Sequence, residues 1–585
     1  MNLVSVARTQ SLASTRSQGL ALVLVALPIV CFTVLLLAYV VDVPWMDDVD
    51  TFLNFIVDYI DAGSVSQKFD LLIRPNNEHR ILIAKLITVV MYKLTGTVNF
   101  RWLIFAAYVF LLGTLYLFYR VFKTINLSLL AFAPVPFLLL QPQYHLTSTW
   151  AITALQHQVV VFMAFATMYL LAGVGRNRFV AATGVQLLAS FSMSNGLFGW
   201  VAGAVVLALQ RHWGRLGIWL TLGAATIMFY FHDFQNPQGN ESSFTFFLKH
   251  PHLVFLGFFT FTGALFDFIS TTDIVWRSVL PTLAGFVLIP TMLWLLWRMN
   301  EPLLRRYANT YIATDRTSAS LWKRRYFFTG CYAFLMVNAV IVAFFRPRFG
   351  YSVMLISNYM LYPAVLVVLL YINVLSERRN ERSVNRWIRV GLAVSIVVWG
   401  LSYVMRLPKI AFRKQQLLTN AFNQKHNNVG LGATVGTPFA ELVNRAMTET
   451  VKRGIYHYPD AFYTPYEQQL SDAKAKSDGK LDVAINGQAT DYSYIVNTVE
   501  GTTPVLVRPA ALIVQSKQHT YLFASEVPYD LATFWSMGAG STIKAEVINA
   551  TLYPNTYQVG VLIPSPDGQP VRFSNRRITI TQETK

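Results

Sequence analysis

The run Val43-Pro44-Trp45-Met46-Asp47-Asp48-Val49-Asp50 places three carboxylates between positions 47 and 50, directly after a long apolar stretch. Carboxylates are costly to keep at a membrane boundary and tend to mark function there. Such a group can take a proton from a hydroxyl, directly or through a bound divalent cation such as Mg or Mn. Asp47 is the candidate base or metal ligand, with Asp48 beside it. On a helix Asp47 and Asp50 share a face at i,i+3 while Asp48 points elsewhere, so one of the adjacent pair is then structural. The plainer alternative is that Asp47 and Asp48 only cap a helix beside Pro44.

Further along the same outer loop, residues 42–80, comes Arg74-Pro75-Asn76-Asn77-Glu78-His79-Arg80. It joins three bases and a carboxylate, so acid and base groups are paired across one loop. No P-loop, Gly-rich dinucleotide fingerprint or His-Glu-x-x-His pattern occurs, and nothing in the sequence marks an ATP-driven pump or a zinc protease. Cys31 and Cys331 both sit in apolar runs, which argues against a disulfide framework or a thiolate metal site.

The elements that must hold these residues are written in the composition. The 585 residues are 54% hydrophobic and 13% charged with a mean hydropathy of +0.41, far from the ~25% charge of a soluble domain. Apolar runs at 19–41, 326–345 and 359–375 each approach the ~20 residues that cross a ~30 Å hydrocarbon core. The first is too long for a signal peptide and has no small-residue cleavage pattern before Pro44, so it reads as an uncleaved first span.

Residues 102–119 make the second span. Arg80, Lys85 and Lys93 punctuate 81–94, which suits an amphipathic helix in the interface. The net charge of +18 sits mostly in short tracts between spans, as the positive-inside rule expects, and does not indicate a nucleic-acid partner. Tracts 298–325 and 377–389, with the smaller pairs Arg120/Lys123, Arg176/Arg178 and Arg211/Arg215, are expected on the cytoplasmic side. Loops 42–80, 141–157, 232–252 and 346–358 and the C-terminal domain then face outward. Parity requires 253–268, although apolar, to be re-entrant or interfacial.

The expected fold is therefore an α-helical polytopic membrane protein of roughly 10–12 hydrophobic segments, ending in a soluble β-sandwich-like domain. Its parts are a cytoplasmic N-terminus at 1–18, a transmembrane domain at 19–405, a mixed linker at 406–480 and a β-rich outer domain at 481–585. Six strands are expected at 481–485, 505–514, 520–524, 543–552, 557–563 and 577–581, separated by turn formers such as Pro566-Asp567-Gly568.

An acidic pair just after the first span, interfacial helices before the second, many spans and a C-terminal outer domain together resemble the GT-C superfamily of membrane glycosyltransferases. At motif level the resemblance rests on Trp45-Met46-Asp47-Asp48 and Asn77-Glu78-His79-Arg80. It implies a polyprenyl-phosphate-linked sugar as donor, a glycan, lipid or protein acceptor, and catalysis on the outer face of a bacterial-type inner membrane. It also implies an active-site role for Asp47 and Asp48.

Transfer from a lipid phosphate needs cations for the departing group, and guanidinium forks suit phosphate oxygens. Arg74, Arg80, Arg346 and Arg348 are the candidates, with Glu78 and His79 beside them. Arg346-Pro347-Arg348 is the one basic cluster expected on the outer side, although snorkelling to headgroups explains it equally well. His145 and His157 flank the turn 141–158 and could hold a sugar with Tyr144, Trp150 and Gln156, against the reading of an interfacial aromatic belt. The polar break Ser192-Met193-Ser194-Asn195-Gly196 suits a tight turn that lines a cavity. Two other function classes compete: a transporter or flippase of lipid-linked sugars, and a polymerase of lipid-linked glycans.

Overall fold

Long apolar runs leave the chain no way to satisfy its backbone in lipid except as helices, and helices are what they form. The computed structural model describes residues 3–76, 79–234, 241–305, 316–378, 380–471, 481–490, 493–499, 510–525, 544–564 and 570–581. Among these, eight helices are long and apolar enough to cross a membrane. They are Gln18–Tyr39, Phe100–Lys123, Ala151–Leu171, Trp213–Phe231, Ile274–Glu301, Ala319–Phe345, Ser357–Glu377 and Glu381–Asn427.

Two apolar helices are shorter, Ser194–Leu209 and Pro251–Thr262. The latter has 12 residues, roughly 18 Å at 1.5 Å per residue, which falls short of a ~30 Å core. The apolar stretch at 253–268 thus holds the end of a short helix, which stops at Thr262, and a 3-10 turn at Ala264–Phe266. Leu82–Thr95, 14 residues long, occupies the place of the expected interfacial helix.

Helix Glu381–Asn427 has 47 residues and runs unbroken through 405–406, where hydropathy alone ends the membrane domain. At about 1.5 Å per residue it extends roughly 70 Å, more than twice the hydrocarbon thickness. Its C-terminal half therefore belongs with the C-terminal region rather than with the spans. The chain accordingly divides into two compact units. One comprises Met1–Ala38, Phe69–Ile87 and Leu103–Arg406; the other comprises Tyr39–Lys68, Thr88–Trp102 and Leu407–Lys585.

In the first unit, Ala151–Leu171 and Ser357–Glu377 are the most enclosed spans, whereas Trp213–Phe231 and Ile274–Glu301 keep most of their surface toward the surroundings. Close packing is set by small residues. A Cβ on Gly285 would lie 2.0 Å from the Phe259 carbonyl oxygen, and one on Gly263 would lie 1.9 Å from that of Pro281. Helix Pro251–Thr262 can therefore lie backbone to backbone against Ile274–Arg305, with the Phe259 and Phe286 rings stacked at 4.1 Å.

The second unit carries the sandwich. Its strands are β1 Asp482–Thr490, β2 Ser493–Val499, β3 Ala511–Gln515, β4 Thr520–Ala524, β5 Lys544–Ile548, β6 Asn555–Leu562 and β7 Val571–Ile580. They form two antiparallel sheets, β1-β2-β5 and β4-β3-β6-β7. Val483, Leu512, Val514, Ala545, Val547, Val559, Val561 and Ile578 from the two sheets close one core.

Strand β2 is an addition to the expected six, and β7 starts earlier than expected. The first part of the expected 505–514 strand and the Pro566-Asp567-Gly568 turn lie outside the described residues. Between Gln558 and Gly560 the β6–β7 register shifts; a Cβ on Gly560 would meet the Arg572 carbonyl oxygen at 2.6 Å, so only glycine fits this bulge.

Candidate functional site

Two polar centres emerge, one in each unit. In the second unit the acidic run follows the first span as an anchored turn. Asp42 begins it: its carboxylate accepts from Asn99 Nδ2 at 2.7 Å and from the Phe100 amide at 2.6 Å, while its carbonyl accepts from the Tyr456 hydroxyl at 2.9 Å. Burial pushes the Asp42 carboxyl up to about 7, against the Phe100 N–H bond and the Arg101 charge, which favour the ionised form.

Met46 follows in the left-handed region, φ 46°, an uncommon place for a residue with a side chain. Its amide donates to the Leu431 carbonyl at 2.9 Å. Residues Val49–Asn54 then wind as a π-helical turn, a rare geometry that recurs at functional sites. Val49, Phe52 and Leu53 are wholly buried and fix that turn, with Phe52, Phe100 and Tyr456 meeting edge to face.

This backbone separates the two adjacent acids. Asp48 is 1% exposed, and its Oδ2 accepts from the Trp45 amide at 3.1 Å, the carboxylate half of a capping box. The capping alternative thus describes Asp48. Asp50 accepts from Asn54 Nδ2 at 3.0 Å. Asp47 stays half-buried.

The electrostatic partner of Asp48 is Arg413, from the long helix Glu381–Asn427. Its guanidinium lies over the Trp45 ring at 5.9 Å. Burial lowers its pKa to about 10 against the opposing pull of Asp48, so it stays charged at neutral pH. Lys414 is held below its usual value by burial and by Arg101.

Arg413 and Lys414 have no place among the expected site residues. A signal for them exists: Lys409, Arg413 and Lys414 follow the last span on the side expected to face outward, against the charge bias, which is the same argument that singles out Arg346 and Arg348. Their assignment to a linker concealed it.

The second centre lies among the spans of the first unit. His157 Nδ1 is 2.8 Å from the Tyr362 hydroxyl, and its ring meets those of Tyr359 and Tyr362 edge to face. Asn195 Nδ2 donates to the same hydroxyl, and Asn338 also reaches it. His79 and Arg346 act electrostatically on the His157 ring, so three of the residues picked from sequence converge here. The polar break at 192–196 enters this centre through Asn195. The buried Asn195 Oδ1 has no hydrogen-bond partner among the described residues, although satisfied groups are the rule in such interiors.

The remaining predicted residues are engaged elsewhere in this unit. Arg80 is 2% exposed; its Nε donates to the Tyr230 carbonyl at 2.9 Å and its Nη1 to that of Ile73 at 2.5 Å, which ties the loop to the span Trp213–Phe231. Arg74 is exposed, and its carbonyl accepts from Lys85 Nζ at 2.8 Å. His145 Nδ1 is 3.1 Å from Ser357 Oγ. Arg348 Nη1 donates to the Glu241 carbonyl at 2.9 Å and its guanidinium covers Phe349. Glu78, with Asn77, lies outside the described residues.

A buried charge cluster was not expected at all. Asp267, 1% exposed, receives Arg277 through Nε at 3.0 Å and Nη2 at 2.6 Å, and Arg406 Nη2 at 2.8 Å. Gln143 joins it by accepting from Arg406 Nε and donating to the Asp267 carbonyl at 3.2 Å.

Among the described residues no three His, Cys, Asp or Glu side chains gather as a metal-binding group. With Asp48 and Asp50 committed to Trp45 and Asn54, a divalent ion at Asp47 would draw its other ligands from phosphate and water, as Mg often does.

Among the described residues, eight helices long and apolar enough to span and a C-terminal sandwich point to a multi-pass membrane protein with a folded β-rich region. Its polar centres carry the chemistry available for a function. No protein-family model matches the chain, and no curated protein or solved structure is significantly similar to it.

Proposed function

We propose that the protein is a membrane glycosyltransferase of GT-C type, moving a sugar from a polyprenyl-phosphate donor to a glycan, lipid or protein acceptor on the outer face of the membrane. The observation that carries this reading is the turn at 45–54. It spends a left-handed Met46, a π-helical turn and a buried Asp48–Arg413 pair on holding the half-exposed Asp47 in one place.

Backbone strain of this kind costs of order 1–3 kcal/mol per residue and clusters at working sites. In the proposed reaction Asp47 takes the proton of the acceptor hydroxyl as that oxygen attacks the anomeric carbon. The bond from that carbon to the phosphate oxygen breaks, and the polyprenyl phosphate leaves with its electron pair. Asp48 positions Asp47 and touches no substrate.

The test is sugar transfer by the purified protein with a panel of radiolabelled polyprenyl-phosphate sugars and membrane extract as acceptor. Asp47→Asn should abolish transfer, a loss of at least about 100-fold for a general base, with unchanged thermal unfolding. Full transfer by Asp47→Asn would overturn the assignment.

A second reading has its own observation. The His157–Tyr362–Asn195 centre sits among spans, where ionisable groups often line a transport path, and it favours a flippase for lipid-linked sugars. Crossing of such a lipid in reconstituted vesicles, without transfer from any donor, would select it.

A further inference from the structure

In the first unit, the helix ends richest in arginine and lysine enclose a cavity of about 390 Å³. It lies beside the C-terminal end of Phe100–Lys123, the C-terminal end of Ala151–Leu171 and the early turns of Arg316–Phe345. Three cations line it, Arg178, Lys323 and Arg324, together with Thr124, Tyr169 and Ser320. Among the described residues no acidic side chain does.

Glu377 holds Arg325, Oε2 to Nη2 at 2.7 Å, and also acts electrostatically on Arg324. Neither Arg178 nor Lys323 has an ion-pair partner among the described residues. Arg324 is fixed on one side only, its Nε donating to Ser376 Oγ at 2.9 Å and its Nη1 to the Thr124 carbonyl at 2.6 Å and Ser320 Oγ at 2.9 Å.

Even with Glu377 acting on Arg324, the positive charge that lines the cavity exceeds the negative charge near it, which disfavours cations and suits an anion. Ser320 and Tyr169 add hydroxyls that can donate to the oxygens of an anion. On the other walls Val121, Ala172 and Phe327 are apolar, which suits a chain attached to the anion. Snorkelling alone does not account for this, because Arg324 is turned inward and locked to Thr124 and Ser376.

We infer that this cavity is a binding site for a phosphate group. Arg178 and Lys323 supply exposed charges, and Arg324, held in place through Nε and Nη1, supplies its Nη2 as a preorganised charged donor. The phosphate belongs either to an amphiphile in the adjoining leaflet or to a soluble phosphate compound. The inference stands independently of the role of Asp47.

The full-length protein in nanodiscs of phosphatidylcholine distinguishes the sources. One arm titrates inorganic pyrophosphate into the solution by calorimetry; the other adds phosphatidic acid to the disc and counts retained lipid by native mass spectrometry. Binding in the first arm assigns a soluble ligand, and binding only in the second assigns a lipid headgroup.

In either arm Arg178→Gln/Lys323→Gln should weaken binding about tenfold or more, as expected for losing two charge-assisted contacts. The exposed Arg298→Gln should bind as wild type. The wild-type interaction should also weaken as salt rises, a readout that does not depend on any variant folding. Absence of binding in both arms, salt-independent binding, or equal binding by the double variant would overturn the inference.

Discussion

Asp47 and Asp48 are neighbours in the chain and opposite in circumstance. Asp48 is enclosed, bound to the Trp45 amide and set against the Arg413 charge; Asp47 is left half-buried. Replacing Asp48 by Ala removes the carboxylate that faces a buried guanidinium, and breaking such a pair costs about 3–5 kcal/mol. Asp48→Ala should therefore lower the apparent unfolding temperature sharply, while Asp47→Asn leaves it unchanged and removes activity. Equal destabilisation by both would show that the pair acts only as a cap. The acids were legible in the sequence because charge beside a long apolar run is conspicuous. Arg413 was passed over because the stretch that carries Lys409, Arg413 and Lys414 reads as a linker, and its tie to Trp45 and Asp48 appears only on folding. Asp42 offers a pH signature. Its folded pKa of about 7 lies above the ordinary 3.8, so between those values the folded protein binds more protons than the unfolded chain. Stability should fall as pH rises from about 4 to 7 and level off above, by on the order of a few kcal/mol. Thermal unfolding across that range should show this slope, and Asp42→Asn should flatten it.

Helices were more legible than the contacts between them. Apolar runs of ~20 residues announce a span by length alone, which is why the first span, the second and those ending at Phe345 and Glu377 lie close to where hydropathy puts them. What hydropathy cannot report is a helix that outlasts the membrane. Glu381–Asn427 continues past Met405 because Arg413, Gln415 and Gln416 are good helix formers in any surroundings, and the loss of apolarity there marks a change of neighbours rather than an end. Strand β2 escaped for a related reason: Ser493, Asn497 and Thr498 dilute the apolar pattern, and the strand is defined by pairing with β1 and β5 rather than by its own composition. The packing of Pro251–Thr262 on Ile274–Arg305 depends on glycines that no periodicity reveals. Gly285→Ala places a methyl group 2.0 Å from the Phe259 carbonyl oxygen, where backbone must move. Overpacking of this sort costs typically about 1–3 kcal/mol. The variant should unfold at lower temperature and expose 251–273 to protease, whereas Gly214→Ala, with open space around its Cβ position, should do neither.

Taken as a whole, the chain has to reconcile the eight long apolar helices among its described residues with a basic charge excess concentrated at certain helix ends. If each cation-rich end lies in the cytoplasm, as the positive-inside rule requires, residues 129–149 must carry the chain back across the membrane between Phe100–Lys123 and Ala151–Leu171. These residues are mostly buried short helical turns, with Gln141 and Gln143 fully enclosed, and protein burial is the condition under which irregular backbone is tolerated at that depth. Arg176–Ser190 and Ser194–Leu209 then form a short down-and-up pair, and Pro251–Thr262 must return to the side it came from. This accounting makes a sharp prediction about sidedness. In a background where Cys31 and Cys331 are replaced by Ala, single cysteines at Lys249, Asp273 and Lys517 should react with a membrane-impermeant maleimide applied to intact cells. A cysteine at Arg298 or Arg382 should react only after the membrane is opened. If Lys249 and Asp273 label from opposite sides, Pro251–Thr262 is a true crossing, and every later helix end reverses its side. The cationic cavity at Arg178, Lys323 and Arg324 is expected to share the side of Arg298, so this single labelling series also decides which leaflet or compartment its phosphate ligand comes from.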